Sequence, residues 1–125
     1  MEYVRVFPIG LVAPRSARTS LDALIGLAPP MVLLDLRIIV SEFVTNAVRH
    51  AGRAEGDPVT VRVECSDRVV RIEVEDGGDG FAPLFKTPDP SGSAGWGLYI
   101  VDRLADRWGA SPKGVAWAEV DLPPS

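Results

Sequence analysis

Apolar positions along this chain of 125 residues repeat with two different periods, and the switch between them divides helices from strands. Tyr3 to Phe7 alternates weakly, which predicts a short edge strand. Ser16 to Leu27 places Ala17, Leu21, Leu24, Ile25 and Ala28 at helical spacing, and Pro29-Pro30 stops that helix. From Met31 to about His50 a longer helix is indicated, with Leu36, Ile39, Val40, Phe43, Val44, Ala47 and Ala51 on one wide apolar arc. The period then falls to two. Val59, Val61, Val63 and Cys65 alternate with Thr60, Arg62 and Glu64, and Val70, Ile72 and Val74 alternate with Arg71, Glu73 and Glu75. Ser66-Asp67-Arg68 between them predicts an antiparallel hairpin with one wet face. Gly77 to Gly97, rich in glycine and proline, reads as a loop. A third helix is expected from about Gly97 to Trp108, burying Leu98, Ile100 or Val101, Leu104 and Ala105, with Gly109 as its stop. Val115 to Leu122 reads as a last strand, ended by Pro123-Pro124. The pattern as a whole predicts an α+β fold, a two-layer sandwich with helices on one face of a largely antiparallel mixed sheet.

Composition narrows the function more than the fold. No repeat or charge block divides the chain, so residues 1–125 are expected to form a single domain, and 46 % hydrophobic with 24 % charged residues excludes general disorder. One cysteine, Cys65, and one histidine, His50, leave no internal disulfide, no cysteine-rich zinc site and no imidazole pair. Cys65 and the core aromatics are assigned to packing. A net charge of −4 gives no general attraction to nucleic acid or to an anionic membrane. Neither an export signal nor a membrane span is read, and a cytoplasmic protein is the expectation.

Three constellations can carry chemistry. Glu42 and Asn46, four apart on the long helix, lie about 40° from each other at the border of its apolar arc. A carboxylate there can accept a proton from a hydroxyl, and a neutral amide oxygen can enter the oxygen shell of Mg²⁺; both can equally be solvated rim residues. Asp76-Gly77-Gly78-Asp79-Gly80 follows a strand directly. Its glycines let the backbone turn close to a flat ligand while Asp76 accepts a hydrogen bond from an exocyclic amine, or the segment is a plain surface turn. Gly95-Trp96-Gly97-Leu98 opens a helix whose free N–H groups suit phosphate, or merely hinges a loop. Neither glycine cluster fits a dinucleotide fingerprint, and no P-loop occurs.

Taken in order, these motifs resemble the Bergerat-fold ATPases, the superfamily of sensor histidine kinase catalytic domains and DNA gyrase. Val40 to Gly52 (VSEFVTNAVRHAG), Gly97 to Gly109 and Trp117 to Val120 are similar to the small bacterial anti-sigma-factor serine kinases, and the resemblance runs from about Pro14 onward. It implies that ATP and Mg²⁺ are bound, with Asn46 on the metal and Glu42 polarising the nucleophile as the catalytic residue. Asp76 would bind the adenine amino group, Gly78 and Gly80 would shape that pocket, and Gly95, Gly97 and Leu98 would face the phosphates. Residues 81–94 would be an ATP lid, with Lys86 as its one basic side chain. Counted back from Trp117, Val115 occupies a place where many relatives carry threonine, which implies one polar contact fewer to the adenine region. Arg15 and Arg18 are candidates for gripping an acidic partner. The implied function is a serine/threonine kinase that phosphorylates an anti-sigma-factor antagonist and sequesters a sigma factor, as a homodimer. A non-catalytic, nucleotide-gated binding module of the same fold is the alternative.

Overall fold

The computed structural model describes residues 1–50, 56–76, 96–111 and 114–124. Strand β1 (Glu2–Pro8) leads into helix α1 (Ala13–Ser20) and a 3₁₀ turn (Leu21–Leu24), then the long helix α2 (Pro30–His50). The hairpin β2 (Pro58–Cys65) and β3 (Val69–Glu75) follows, then α3 (Trp96–Leu104), β4 (Arg107–Ser111) and β5 (Val115–Asp121). The five strands form one sheet in the order β1-β2-β3-β5-β4, and all four pairings are antiparallel. Period-two patterning decides which face of the sheet is dry. Val59, Val61 and Val63 of β2, Val70, Ile72 and Val74 of β3, and Ala116, Ala118 and Val120 of β5 are buried. They meet Leu36, Val40, Phe43, Val44 and Ala47 of α2 in a single core, as the expected two-layer α+β sandwich requires.

On its other face, among the described residues, the sheet carries no helix layer and is lined by charge. Arg71 bonds Glu73 and Glu119, each at 3.1 Å, and its guanidinium lies 4.5 Å over the Trp117 ring. Arg107 bonds Glu119 at 2.7 Å and also pairs with Asp121. Arg107 first, and then Arg71, holds the Glu119 carboxyl below the usual glutamate range.

Two elements differ from the sequence reading. The first helix begins three residues earlier than expected, at Ala13, because Pro14 suits the first helical turn. It ends at Ser20, where the chain tightens into the 3₁₀ turn, and Gly26 at φ +86° then turns it away. The apolar spacing survives the tightening, since Ala13, Ala17, Leu21 and Leu24 are all buried. Ile25 and Leu27, expected on the helix, are exposed instead.

The third helix stops at Leu104, four residues short of expectation, and Trp108 and Gly109 belong to β4. Gly109 is therefore not a helix stop. It lies opposite Trp117, where an added Cβ would come within 2.9 Å of the indole nitrogen. Partners more than ten residues away fix this strand, as in Arg107 against Glu119, and local periodicity does not contain them.

Candidate functional site

Helix α2 supplies two of the sequence candidates. Glu42 and Asn46 are half-buried, while their neighbours Phe43, Val44 and Ala47 are buried in the core and fix the helix rotation. Partial burial pushes the Glu42 carboxyl above the usual glutamate range, and Arg49 draws it back. At 100° per residue Arg49 lies about 20° from Glu42 around the helix axis, so Glu42, Asn46 and Arg49 form one stripe. Sequence reading passed over Arg49, although its spacing of seven from Glu42 was the signal.

Asp76 stands just past the end of β3 and is 1 % exposed, the one buried charged side chain among the described residues. A charged group is rarely placed there without a polar task. Its backbone is tied to the start of β5, because the Asp76 N–H donates to the Gly114 carbonyl at 3.0 Å. Val115 pairs with Glu75 beside this tie. Gly97 is the second residue of α3 and the buried Leu98 the third, so they form its first turn, where backbone N–H groups have no helical acceptor. Helix α2 packs against α3, β3 and β5, which makes neighbours of the elements bearing Glu42, Asn46, Asp76 and Leu98.

Gly78, Gly80, Gly95 and the expected lid, residues 81–94 with Lys86, lie outside the described residues, as does the His50 side chain. Two cavities among the described residues have other linings. One of about 660 Å³ runs from Ile25 to Pro30 and includes Leu33 and Arg37, and one of about 510 Å³ lies between Phe7 and Ser16 and includes Gly56.

Arg15 and Arg18 differ in environment. Arg15 on α1 is exposed. Arg18 is half-buried and donates to Ser41 Oγ at 2.8 Å, while its carbonyl accepts from Arg37 at 2.5 Å. Arg37 in turn bonds Asp22 at 2.7 Å. Arg18 therefore ties α1 to α2 one residue before Glu42, rather than lying on a freely solvated face.

Among the described residues no group of three or more His, Cys, Asp or Glu is placed to hold a metal ion. Mg²⁺ dehydrates reluctantly and seldom takes an all-protein cage, so beside phosphate and water it can be held by a single protein oxygen. Asn46, a neutral oxygen donor beside a carboxylate, fits that single position. Among the described residues no helix is long and apolar enough to cross a membrane.

Comparison with known proteins identifies the family and the fold. Residues 11–116 match the family model of the histidine kinase-like ATPase domain. An anti-sigma F factor of Pasteuria penetrans is 36 % identical over 102 residues, covering 73 % of this chain and 68 % of its own. The serine-protein kinase RsbW of Bacillus licheniformis is 36 % identical over 86 residues, 58 % of this chain and 53 % of its own, so this chain spans about half of it. Among solved structures, one holding the RsbU and RsbW domains of a Mycobacterium tuberculosis protein superposes with a TM-score of 0.69 over 100 % of this chain. At 22 % identity that likeness is one of fold, and this chain covers 34 % of that larger one.

Proposed function

The chain belongs to the histidine kinase-like ATPase domain family, and on that premise we propose that it is an anti-sigma-factor-type regulator, a cytoplasmic Mg-ATP-dependent serine/threonine kinase. Its substrate would be an antagonist protein, its second partner a sigma factor, and its assembly a homodimer. The observation that carries this reading is the buried Asp76 just past the end of β3, a strand that packs against the helix bearing Glu42 and Asn46. A carboxylate kept from water at a strand end accepts a hydrogen bond from the exocyclic amine of adenine. It rejects a base that offers an acceptor at that position.

Each step of phosphoryl transfer finds a residue of this chain. Asp76 binds and orients the base, and the free N–H groups in the first turn of α3, around Gly97 and Leu98, face the phosphates. Glu42 orients the substrate hydroxyl and takes its proton as the oxygen attacks the terminal phosphorus and the bond to the departing ADP breaks. A carboxyl raised by burial is a stronger base than one in water, and Arg49 on the same stripe favours its ionised form. Asn46 would hold the Mg²⁺, which when bound neutralises charge on the phosphates. Modification of the antagonist adds about two negative charges, enough to reverse its fit to a surface that includes acidic groups.

One experiment separates this reading from its rival, a nucleotide-gated module without turnover. The protein is incubated with labelled ATP, Mg²⁺ and candidate antagonist proteins, beside a Glu42→Ala variant. Transfer by the native chain and a loss of roughly 10²-fold or more in the variant, with ADP affinity kept, is the expected result. ADP binding without label on any partner would leave the module, a reading favoured by the apolar Val115 beside Asp76.

A further inference from the structure

The Asp76 carboxylate can read a base only if its backbone is fixed, and the structure shows what fixes it. Strand pairing between β3 and β5 ends at Glu75 opposite Val115. One step further the Asp76 N–H donates to the Gly114 carbonyl at 3.0 Å, and the Gly114 N–H donates to the Ser111 carbonyl at 3.1 Å. Gly114 is buried and has φ +84°, the left-handed region that an L side chain disfavours. This conformation turns the chain from β4 into β5 while presenting the carbonyl to Asp76.

We propose that Gly114 is a positioning residue for base recognition, its left-handed backbone holding Asp76 where the carboxylate meets an exocyclic amine. The inference rests on the nucleotide reading given above and deepens it. Gly114 acts through Asp76, so its loss should weaken discrimination between bases rather than binding of the phosphates.

The test compares the native protein with Gly114→Ala and Gly26→Ala. Gly26 also has a left-handed backbone, at φ +86°, with no atom within 4 Å of where its Cβ would stand. Its alanine variant thus carries the same kind of strain away from the site. Calorimetry with Mg²⁺ gives the affinities for ADP and for IDP, whose base has a carbonyl in place of the exocyclic amine, and hydrogen exchange follows the Asp76 amide. The native protein and Gly26→Ala should share one ADP preference and one protected amide. Gly114→Ala should lower that preference roughly tenfold, the effect of one misplaced charge-assisted hydrogen bond, and expose the amide. Gly114→Asn, the replacement most tolerant of positive φ, should recover most of the preference.

An unchanged preference in Gly114→Ala, or an equal loss in Gly26→Ala, would overturn the proposal. Where the Gly114 variants do not fold, the native protein decides, because an Asp76 amide exchanging as fast as a chain terminus would overturn it as well. A native protein indifferent to ADP and IDP would instead refute the nucleotide reading itself, whatever the amide does.

Discussion

Glu42 has a carboxyl pKa above the usual glutamate range because partial burial penalises its charged form. Ionising it therefore costs the folded state more than the unfolded chain, and its favourable contribution to stability is complete below the usual pKa and lost as pH rises through the raised one. Glu42→Gln should unfold at a higher temperature than the native protein at neutral pH and at the same temperature in acid. A thermal series from pH 3 to pH 8 measures both, and a variant less stable at neutral pH would contradict the assignment. On the proposed mechanism, phosphoryl transfer should fall on the acid side at a pH above the ordinary glutamate range, since a protonated Glu42 cannot accept a proton. Val115→Thr restores a hydroxyl beside the Asp76 tie and should tighten ADP binding roughly tenfold at most, the worth of one neutral hydrogen bond. Calorimetry checks it, and unchanged affinity would show that the departure at Val115 does not matter. The types and spacing of Glu42, Asn46 and Asp76 were legible in the sequence. The tie that fixes the Asp76 backbone was not, because its partner Gly114 lies 38 positions further along the chain.

Elements with strong local signals formed as read, and β4, which has none and is defined by its partners across the sheet, did not. The β2–β3 hairpin and α2 have unbroken periods and match the expectation to within a residue or two. Strand β4 has neither alternation nor length, and Leu98, Val101, Leu104 and Trp108 continue a helical spacing through it. Its pairing instead relies on Arg107 with Glu119 and Asp121, and on a glycine that leaves room for the Trp117 indole. Gly109→Ala should force that indole aside, loosen its stack under Arg71 and destabilise the protein by about 1–3 kcal/mol. Urea unfolding followed by tryptophan fluorescence reads the loss, and a neutral result would mean that the ring moves freely. Inside α2 the same logic gives a larger effect. Phe43 is fully buried and among the largest such side chains, so Phe43→Ala should cost about 3–5 kcal/mol.

At the scale of the molecule, the neighbours β3 and β5 are separated in sequence by residues 76–114, yet the two ends of that stretch meet in the 3.0 Å bond from Asp76 to Gly114. β3 is thus joined directly to β5 across the departure and return of this stretch, and β4, which lies within it, is added at the sheet's edge. Closing a longer excursion costs little, since each doubling of a flexible loop adds only about 0.6 kcal/mol. If residues 81–94 are the lid that the sequence resemblance implies, exchanging them for a glycine-serine segment of equal or double length should leave the melting temperature within a few degrees and weaken the proposed nucleotide binding. Unfolding on exchange would show that the segment is part of the core. A stitch that seals β3 to β5 where the excursion departs and returns leaves the stretch between as a branch on a closed seam, anchored by α3 and β4, so that sequence change along the branch need not reopen the seam.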